Sequence, residues 1–199
     1  AARPPETATQ WEIGNKTTFL DGRISLNLAF FHVTRENFLV NISGQQVPVG
    51  EQRTRGIELD LASEPLPGWK LYGNYAFHDA ELVKLAPTDR ASEGNRPTGV
   101  PRPSAAFWTT YEFQDGLVRG FGFGGGVTFK GKVFQDNQNT NRIPSYTVGD
   151  LVAFYRRGPY QIQLNLNNVA DTTYFRGGAN SGAMPGEPLS VLATLQFRY

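Results

Sequence analysis

The chain has 199 residues, with 19 lysines and arginines against 18 aspartates and glutamates, so its formal net charge is +1. Because it has no cysteine, it can form neither a disulfide scaffold nor a thiolate zinc site, and its balanced charge argues against a nucleic-acid binder. Aromatic residues make up 13% of the chain, glycine is abundant and methionine is nearly absent, which favours a β-protein with many turns.

Membrane-spanning helices are excluded by the length of the apolar runs. Such a helix needs about 20 consecutive apolar residues, and the runs here are only a few residues long. A mean hydropathy of -0.38 still allows a transmembrane β-barrel, because the lumen of a barrel is polar. Residues 1–5 show no apolar core before a cleavage site, so we expect either a mature chain or a piece of a longer one.

Alternation of apolar and polar residues predicts four strands in the first half of the chain. They are expected at 10–20, 24–35, 51–63 and 69–84, with tight turns at 21–23 and 65–68. Residues 37–50, which include asparagine, serine, glycine and Pro48, are predicted to form a longer loop. In the third strand, Ile57, Leu59 and Leu61 are placed opposite the charged residues Arg55, Glu58 and Asp60.

The second half is predicted to contain five more strands, at 104–113, 120–134, 145–156, 161–169 and 188–199. Alternation is clearest at 161–169, where Ile162, Leu164 and Leu166 alternate with glutamine and asparagine. The last strand is apolar at every second position up to Tyr199, apart from Leu192, which breaks the alternation.

The predicted connections alternate in length. Short turns near residues 21, 65, 115 and 158 are interleaved with longer polar loops near 37–50, 85–100, 135–143 and 175–187. An all-β, antiparallel up-and-down transmembrane β-barrel has this layout, with turns at one rim and loops at the other. Several aromatic residues also lie near predicted strand ends, where barrels carry an interfacial girdle. A soluble half-buried sheet is the alternative.

Polar residues of the strands are predicted to line the lumen: Arg53, Arg55, Glu58, Asp60, Lys70, Asn74, Asp150, Gln163, Asn165 and Asn167. Arg53, Arg55, Glu58, Asp60, Asn74 and Asn165 are the ligand-binding candidates among them. A solvated wall of cross-strand hydrogen bonds is the simpler interpretation and stays open. The long loops are expected to supply further ligand contacts.

No catalytic or metal site is predicted. His78 and Asp79 are neighbours in a strand, so their side chains point to opposite faces and cannot form an acid/base pair. The glycine-rich run 120–126 precedes no helix, whereas a phosphate-binding loop needs a helix amino terminus. We expect these glycines to lie where the sheet bends or twists.

Several segments in order resemble the barrel of TonB-dependent siderophore receptors. They are 4–7 and 12–14, then 19–26, 49–60, 94–96, 101–104, 146–150, 165–174 and the terminal Phe197-Arg198-Tyr199. The resemblance covers essentially the whole chain. It implies a receptor that takes up ferric siderophores across the outer membrane of a Gram-negative bacterium, powered through TonB.

Members of that family hold a plug domain inside a barrel of about 22 strands, whereas about nine strands and no plug are predicted here. The resemblance therefore implies that residues 1–199 are the carboxyl-terminal portion of such a barrel. Its partners would be the ferric siderophore, the remaining strands, TonB through the missing plug, the lipid bilayer and the barrel-assembly machinery. Leu195, Phe197 and Tyr199 look like the signal read by that machinery, and no covalently bound cofactor or nucleic acid is expected.

Two other functions are weighed against the receptor. The first is a small stand-alone outer-membrane barrel with a structural or adhesive role. The second is a barrel-embedded hydrolase, which would need serine or aspartate with histidine on one face. Without upstream sequence, the ligand also stays open: hydroxamate, catecholate, haem or cobalamin.

Overall fold

The computed structural model describes residues 4–42, 45–179 and 182–197, and this part of the chain is almost entirely β-structure. One 3₁₀ helix, Pro87–Ser92, is its only helical element. The strands in chain order are β1 (Thr7–Phe19), β2 (Ile24–Ile42), β3 (Gln45–Leu66), β4 (Trp69–Lys84), β5 (Pro103–Glu112), β6 (Phe121–Lys130), β7 (Val133–Phe134), β8 (Arg142–Ile143), β9 (Tyr146–Arg157), β10 (Tyr160–Asn167), β11 (Phe175–Ala179), β12 (Gly182–Pro185) and β13 (Ser190–Phe197).

Nine strands form one antiparallel sheet in the order β1-β2-β3-β4-β5-β6-β9-β10-β13. The predicted all-β, up-and-down arrangement is therefore confirmed, and the remaining strands form two small hairpins, β7–β8 and β11–β12, within the long connections. The sheet is not closed, because β1 and β13 each pair with one neighbour only among the described strands.

The two faces of the sheet differ in polarity. On what we call the apolar face, the ladder places Leu28 beside Leu59, then Tyr75, Ala105 and Phe129 on successive strands. This face leaves large apolar side chains exposed, among them Phe107, Phe123, Val127, Leu151, Leu164, Val191 and Leu195. A protein dissolved in water rarely exposes so continuous an apolar surface, whereas a barrel turns one toward lipid.

On the opposite side, which we call the polar face, Asn27 lies beside Asp60, Asn74, Ala106 and Thr128 on successive strands. One row away, the ladder continues from Tyr72 through Trp108 and Gly126 to Asp150. Side-chain alternation with a period of two residues produces both faces from the same strands.

The connections divide the sheet into two ends. Turns 20–23, 67–68, 113–120 and 158–159 form the short-turn end, and connections 85–102, 131–145 and 168–189 form the long-loop end. The predicted loop at 37–50 is wrong, because β2 continues to Ile42 and β3 begins at Gln45. The register of the β2–β3 ladder shifts on both sides of the pair Phe38–Gly50, so the two strands stay paired past the turn-forming residues of this segment.

Buried side chains are few and lie mainly at the long-loop end. Leu82, Leu85 and Ala86 form the one buried cluster described, with Phe38 packed against it. This cluster anchors the start of connection 85–102 on the sheet. No helix in residues 4–42, 45–179 and 182–197 is long and apolar enough to cross a membrane.

Candidate functional site

The polar face holds a shallow hollow of about 520 Å³ at the centre of the sheet. Lys16, Asp60, Tyr72, Trp108 and Asp150 are among the residues that line it. Charged and aromatic side chains from five strands thus converge on one surface, although they lie far apart in the sequence. Such a surface offers hydrogen bonds and ring faces to a polar ligand or domain in the lumen.

Four of the six ligand-binding candidates share this face. Glu58 lies beside Ala76 in the ladder, and Asp60 lies beside Asn74. The side-chain nitrogen of Asn27 approaches a carboxylate oxygen of Asp60 at 3.5 Å. Asn165 belongs to the same face, because its ladder partner Val152 pairs in turn with Gly124 and Thr110. Contact of these four residues with ligand stays a prediction.

Arg53 and Arg55 lie on the other face, which corrects the prediction that they line the lumen. The pairing of β3 with β4 is continuous from Gln52 to Ser63 without a bulge, so odd-numbered and even-numbered residues face opposite sides. Arg55 therefore shares a face with Ile57. The guanidinium of Arg53 donates to the carboxylate of Glu81 at 2.8 Å, and this ion pair lies on the same face as Ile57, nearer the long-loop end.

His78 and Asp79 point to opposite faces, as the sequence predicts. The His78 ring lies 3.3 Å from a carboxylate oxygen of Glu58 and packs edge-on against Phe31. Asp79 accepts a hydrogen bond from Arg102 at 2.8 Å. The two residues therefore belong to separate pairs, and they do not form a dyad.

The glycine-rich strand β6 makes room for aromatic rings of its neighbours. A Cβ added to Gly126 would overlap the Phe107 carbonyl oxygen and the ring of Trp108, and one added to Gly122 would overlap the ring of Phe154. Arg156 stacks on Phe154, with its guanidinium carbon 4.2 Å from the ring centroid. The sequence predicted that these glycines lie where the sheet bends or twists. In the structure, Gly122 and Gly126 also let aromatic rings lie against the backbone.

Two long connections interlock at the long-loop end. The backbone N–H of Arg96 donates to Oδ1 of Asn139 at 3.0 Å, and Nδ2 of Asn139 donates to the Arg96 carbonyl at 2.8 Å. Asn95 donates to the Asn137 carbonyl at 3.0 Å, and the Thr98 hydroxyl donates to Oδ1 of Asn137 at 3.0 Å. Connections 85–102 and 131–145 are therefore joined into one platform.

Asp136 holds the tip of the second connection. Its carboxylate accepts the backbone N–H of Thr140 at 2.9 Å and that of Asn141 at 2.7 Å. These hydrogen bonds, that of Thr140 first, favour the charged carboxylate over the opposing effect of burial and lower the pKa of Asp136 below its ordinary value. The tip is thus built around an aspartate that is ionised at neutral pH.

Arg96 carries a partly buried positive charge on the platform. One of its terminal nitrogens donates to the Lys132 carbonyl at 3.3 Å, and its guanidinium carbon lies 5.4 Å from the Phe134 ring centroid. Burial is the main cause that lowers the pKa of Arg96, and the nearby positive charge of Arg102 adds to the effect. The platform thus presents a cation held by carbonyl and ring contacts.

A clasp closes the base of connection 168–189. The side chain of Asn168 donates to the carbonyls of Thr172 and Glu187, both at 2.9 Å, and accepts the Thr172 N–H at 2.9 Å. Asp171 accepts the Leu189 N–H at 2.9 Å. Both Asn168 and Asp171 have positive φ values, of 49° and 46°, a conformation that asparagine and aspartate tolerate better than most residues.

The last strand completes one edge of the sheet. Leu195 pairs with Ile162 and Phe197 with Tyr160 on β10, and all four side chains are exposed on the apolar face. The Phe197 and Tyr160 rings lie 5.2 Å apart. Tyr199, the third residue of the predicted assembly signal, lies outside the described residues.

Sequence reasoning did not single out the residues of the platform and the clasp. The signals that the sequence offered were the asparagine-rich run 135–141 and two segments of the resemblance, 94–96 and 165–174. Among the described residues, no group of three or more His, Cys, Asp or Glu side chains gathers to hold a metal ion.

Comparisons with known proteins agree with this geometry. A family model described as TonB dependent receptor-like, beta-barrel, matches residues 4–169. The probable TonB-dependent siderophore receptor PiuA of Acinetobacter baumannii is 33% identical over 206 residues, covering 98% of this chain and 27% of that protein. The ferrichrome outer membrane transporter/phage receptor of Escherichia coli K12 is 31% identical over 204 residues, covering 98% and 27%.

Solved structures give the same result. The crystal structure of the siderophore receptor PiuA from Acinetobacter baumannii has a TM-score of 0.87 and 32% identity, covering 96% of this chain and 28% of that one. The ferric-catecholate import receptor Fiu from Escherichia coli K12 has a TM-score of 0.82 and 28% identity, covering 99% and 28%. The chain spans just over a quarter of the length of these relatives.

Proposed function

This chain belongs to the TonB-dependent receptor family, and we propose that it forms the carboxyl-terminal strands of an outer-membrane barrel that takes up ferric siderophores. Barrels of this family are outer-membrane proteins of Gram-negative bacteria, and the two curated relatives described above are named as siderophore or ferrichrome receptors. The observation that carries the proposal is the nine-stranded open sheet, with one apolar and one polar face.

The open edges support the view that these strands belong to a larger barrel. In hydrocarbon each unpaired backbone N–H or C=O costs several kcal/mol, and both β1 and β13 carry such groups along one side. An open sheet would thus cost on the order of tens of kcal/mol in lipid. Further strands of the full receptor are proposed to pair with both edges, and the plug and its TonB contact to lie in the remaining part.

Ligand contact is proposed at the long-loop end and on the polar face near it. The platform of connections 85–102 and 131–145 is fixed by side-chain hydrogen bonds, so its ligand groups are already ordered before binding, which lowers the entropic cost. On the polar face, Glu58, Asp60, Asn74 and Asn165 stay the candidates, as contacts with ligand or plug. No catalytic role is proposed.

An uptake experiment tests the receptor. The full-length gene is expressed in a strain that lacks other siderophore receptors, and radioactive iron is supplied as a panel of hydroxamate and catecholate complexes. We expect at least one complex to accumulate, and only when TonB is present. Uptake that is independent of TonB, or no uptake of any complex by a correctly folded barrel, would contradict the proposal.

The contribution of the polar face is tested by substitution. Asp60→Ala and Asn74→Ala are expected to weaken binding of the accumulated complex or docking of the plug, measured as a raised half-saturation concentration or as channel leakage. Arg55→Ala is the matched control, because it removes a charge from the neighbouring segment of β3 on the other face. Equal effects of all three changes would argue against a ligand or plug contact on this face.

The alternative of a small stand-alone barrel is not favoured. The matched relatives are siderophore receptors about four times as long as this chain, since the chain covers 27% of each. Their printed ligands differ, so the choice among siderophores is left to the panel.

A further inference from the structure

Two turns at the short-turn end bring two arginines together. The last ladder pair between β6 and β9 is Phe121 with Tyr155, and one residue further the Arg156 N–H donates to the Gly120 carbonyl at 2.8 Å. The next residue on each side is an arginine, Arg119 or Arg157. Both line the same hollow of about 690 Å³ at the rim of the sheet.

The positive charge of this hollow is not balanced by the residues that line it. Glu112 is their only carboxylate, and it is already paired with Arg156, which also donates to Gln161 at 3.1 Å. Within the described residues, no ion pair joins a carboxylate to Arg119 or Arg157. Like charges on adjacent strands repel each other, so an anion placed between the two guanidinium groups would be stabilised.

The surroundings of the hollow are apolar and aromatic. Phe113 and Tyr155 line it, and the Phe113 ring lies 5.2 Å from Tyr111 and 6.3 Å from Phe121. Leu117, at the tip of the turn, is 106% exposed. Aromatic rings next to arginines and an exposed leucine are typical of the boundary between hydrocarbon and water. An anion bound here would therefore meet both a charged and an oily environment.

We propose that this hollow binds the phosphate group of an anionic phospholipid in the bilayer leaflet at the short-turn end. Arg119 and Arg157 hold the phosphate, and the aromatic rings border the glycerol region and the start of the acyl layer. The proposal rests on the membrane location of the barrel proposed above, and it is independent of the identity of the transported ligand.

The test uses the full-length receptor, purified without ferric siderophore. Native mass spectrometry measures lipid retained after exposure to phosphatidylglycerol or to phosphatidylethanolamine, with and without inorganic phosphate as a competitor. The variant Arg119→Gln/Arg157→Gln is compared with Arg90→Gln/Arg142→Gln, which removes two exposed arginines from the long-loop end. The heat-dependent electrophoretic shift of a folded barrel verifies that each variant is folded.

The wild type and the control are expected to retain phosphatidylglycerol in preference to phosphatidylethanolamine. The Arg119/Arg157 variant is expected to lose roughly tenfold of this retention, because each cation near an anionic headgroup contributes measurably to binding. Equal retention of the two lipids, or equal retention by both variants, would overturn the proposal. Inorganic phosphate that competes as well as the lipid would show a free-anion site instead. Since no siderophore is present, the result does not depend on transport.

Discussion

Arg96 and Asn139, which are 43 positions apart in the sequence, exchange two hydrogen bonds between two connections: the Arg96 N–H donates to Oδ1 at 3.0 Å, and the Arg96 carbonyl accepts from Nδ2 at 2.8 Å. One asparagine side chain thus satisfies both backbone hydrogen-bonding groups of Arg96. The pair fixes the platform at the long-loop end.

Asn139→Gly should loosen the platform. Asn139 has a φ of 60°, which glycine adopts readily, so this change removes both hydrogen bonds without adding backbone strain. We expect the local opening free energy to fall by about 1–3 kcal/mol, measured as faster amide exchange of Arg96 in the purified receptor. Gln138→Gly is the control, because the neighbouring Gln138 is exposed and its replacement adds similar backbone freedom. Unchanged exchange in the Asn139 variant would show that the platform does not depend on this pair.

The tip of connection 131–145 should respond to acid. The folded pKa of Asp136 lies below its ordinary value of 3.8 because the charged carboxylate accepts backbone hydrogen bonds. The unfolded tip therefore binds a proton more readily, so the stabilisation is complete above the ordinary pKa and is lost as pH falls through the lower, folded pKa. Amide exchange of Thr140 and Asn141 should stay slow down to about pH 5 and rise relative to reference peptides below that.

Asp136→Asn should remove this stabilisation even at neutral pH, and the pH dependence with it. The same substitution at Asp115, an exposed residue in a short turn, is the control and should leave the exchange of Thr140 and Asn141 as in the wild type. A tip that stays equally protected at every pH in both proteins would contradict the role given to the carboxylate.

Gly126→Ala should destabilise the barrel by forcing both Trp108 and the β5 backbone away from β6. The new Cβ would overlap the Phe107 carbonyl oxygen and the indole ring of Trp108, and we expect a loss of about 1–3 kcal/mol, as for other overpacked sites. Denaturant unfolding of the full receptor measures it. Gly73→Ala is the control, because a Cβ there meets only ordinary van der Waals neighbours at 3.5 Å or more.

Adding Trp108→Ala to Gly126→Ala should recover part of the loss, since the clash with the indole ring is then removed while the clash with the Phe107 carbonyl oxygen remains. The non-additive part of this double-mutant cycle measures the contact between ring and glycine. Strictly additive effects would mean that the glycine serves the backbone alone.

Adjacent residues of β4 should report opposite environments. The chain has no cysteine, so Asn74→Cys and Tyr75→Cys introduce new sites for a nitroxide label. We expect the label at 74 to be relaxed mainly by a water-soluble nickel chelate and the label at 75 mainly by oxygen, which concentrates in lipid. Similar accessibility of both labels would contradict the assignment of the apolar face to lipid.

Phe197→Ala should slow assembly of the barrel. Leu195, Phe197 and Tyr199 are predicted to form the signal read by the assembly machinery, and Phe197 also packs on Tyr160 at the sheet edge. The folded fraction in the outer membrane, measured by the heat-dependent electrophoretic shift, should fall relative to Leu192→Ala, a change on the polar face of the same strand. Equal folded fractions would remove Phe197 from the signal.

The strand order and the two faces could be predicted wherever apolar and polar residues alternate clearly, as at Ile162, Leu164 and Leu166. Arg53 and Arg55 were assigned to the lumen because they are charged, although the period of two set by Ile57, Leu59 and Leu61 continues to them and places both on the apolar face. Residues 37–50 were predicted as a loop from their asparagine, serine, glycine and Pro48, but these turn-forming residues do not prevent β2 and β3 from pairing there.

The platform could not have been predicted from composition. Its hydrogen bonds join residues about forty positions apart, as between Asn95 and Asn137. Local rules identify each asparagine only as a residue typical of turns. The pairing depends on β4, β5 and β6 bringing the ends of the two connections together, and no short-range pattern encodes that.

The clasp at Asn168 and Asp171 has a practical consequence for engineering. It closes the base of the connection at Thr172 and Glu187, so the β11–β12 hairpin beyond it is tethered by residues outside its own sequence. Longer loops add closure entropy only slowly. The hairpin is therefore a site at which a foreign epitope or a relative's loop can be grafted as a cassette, leaving the strands below it unaltered.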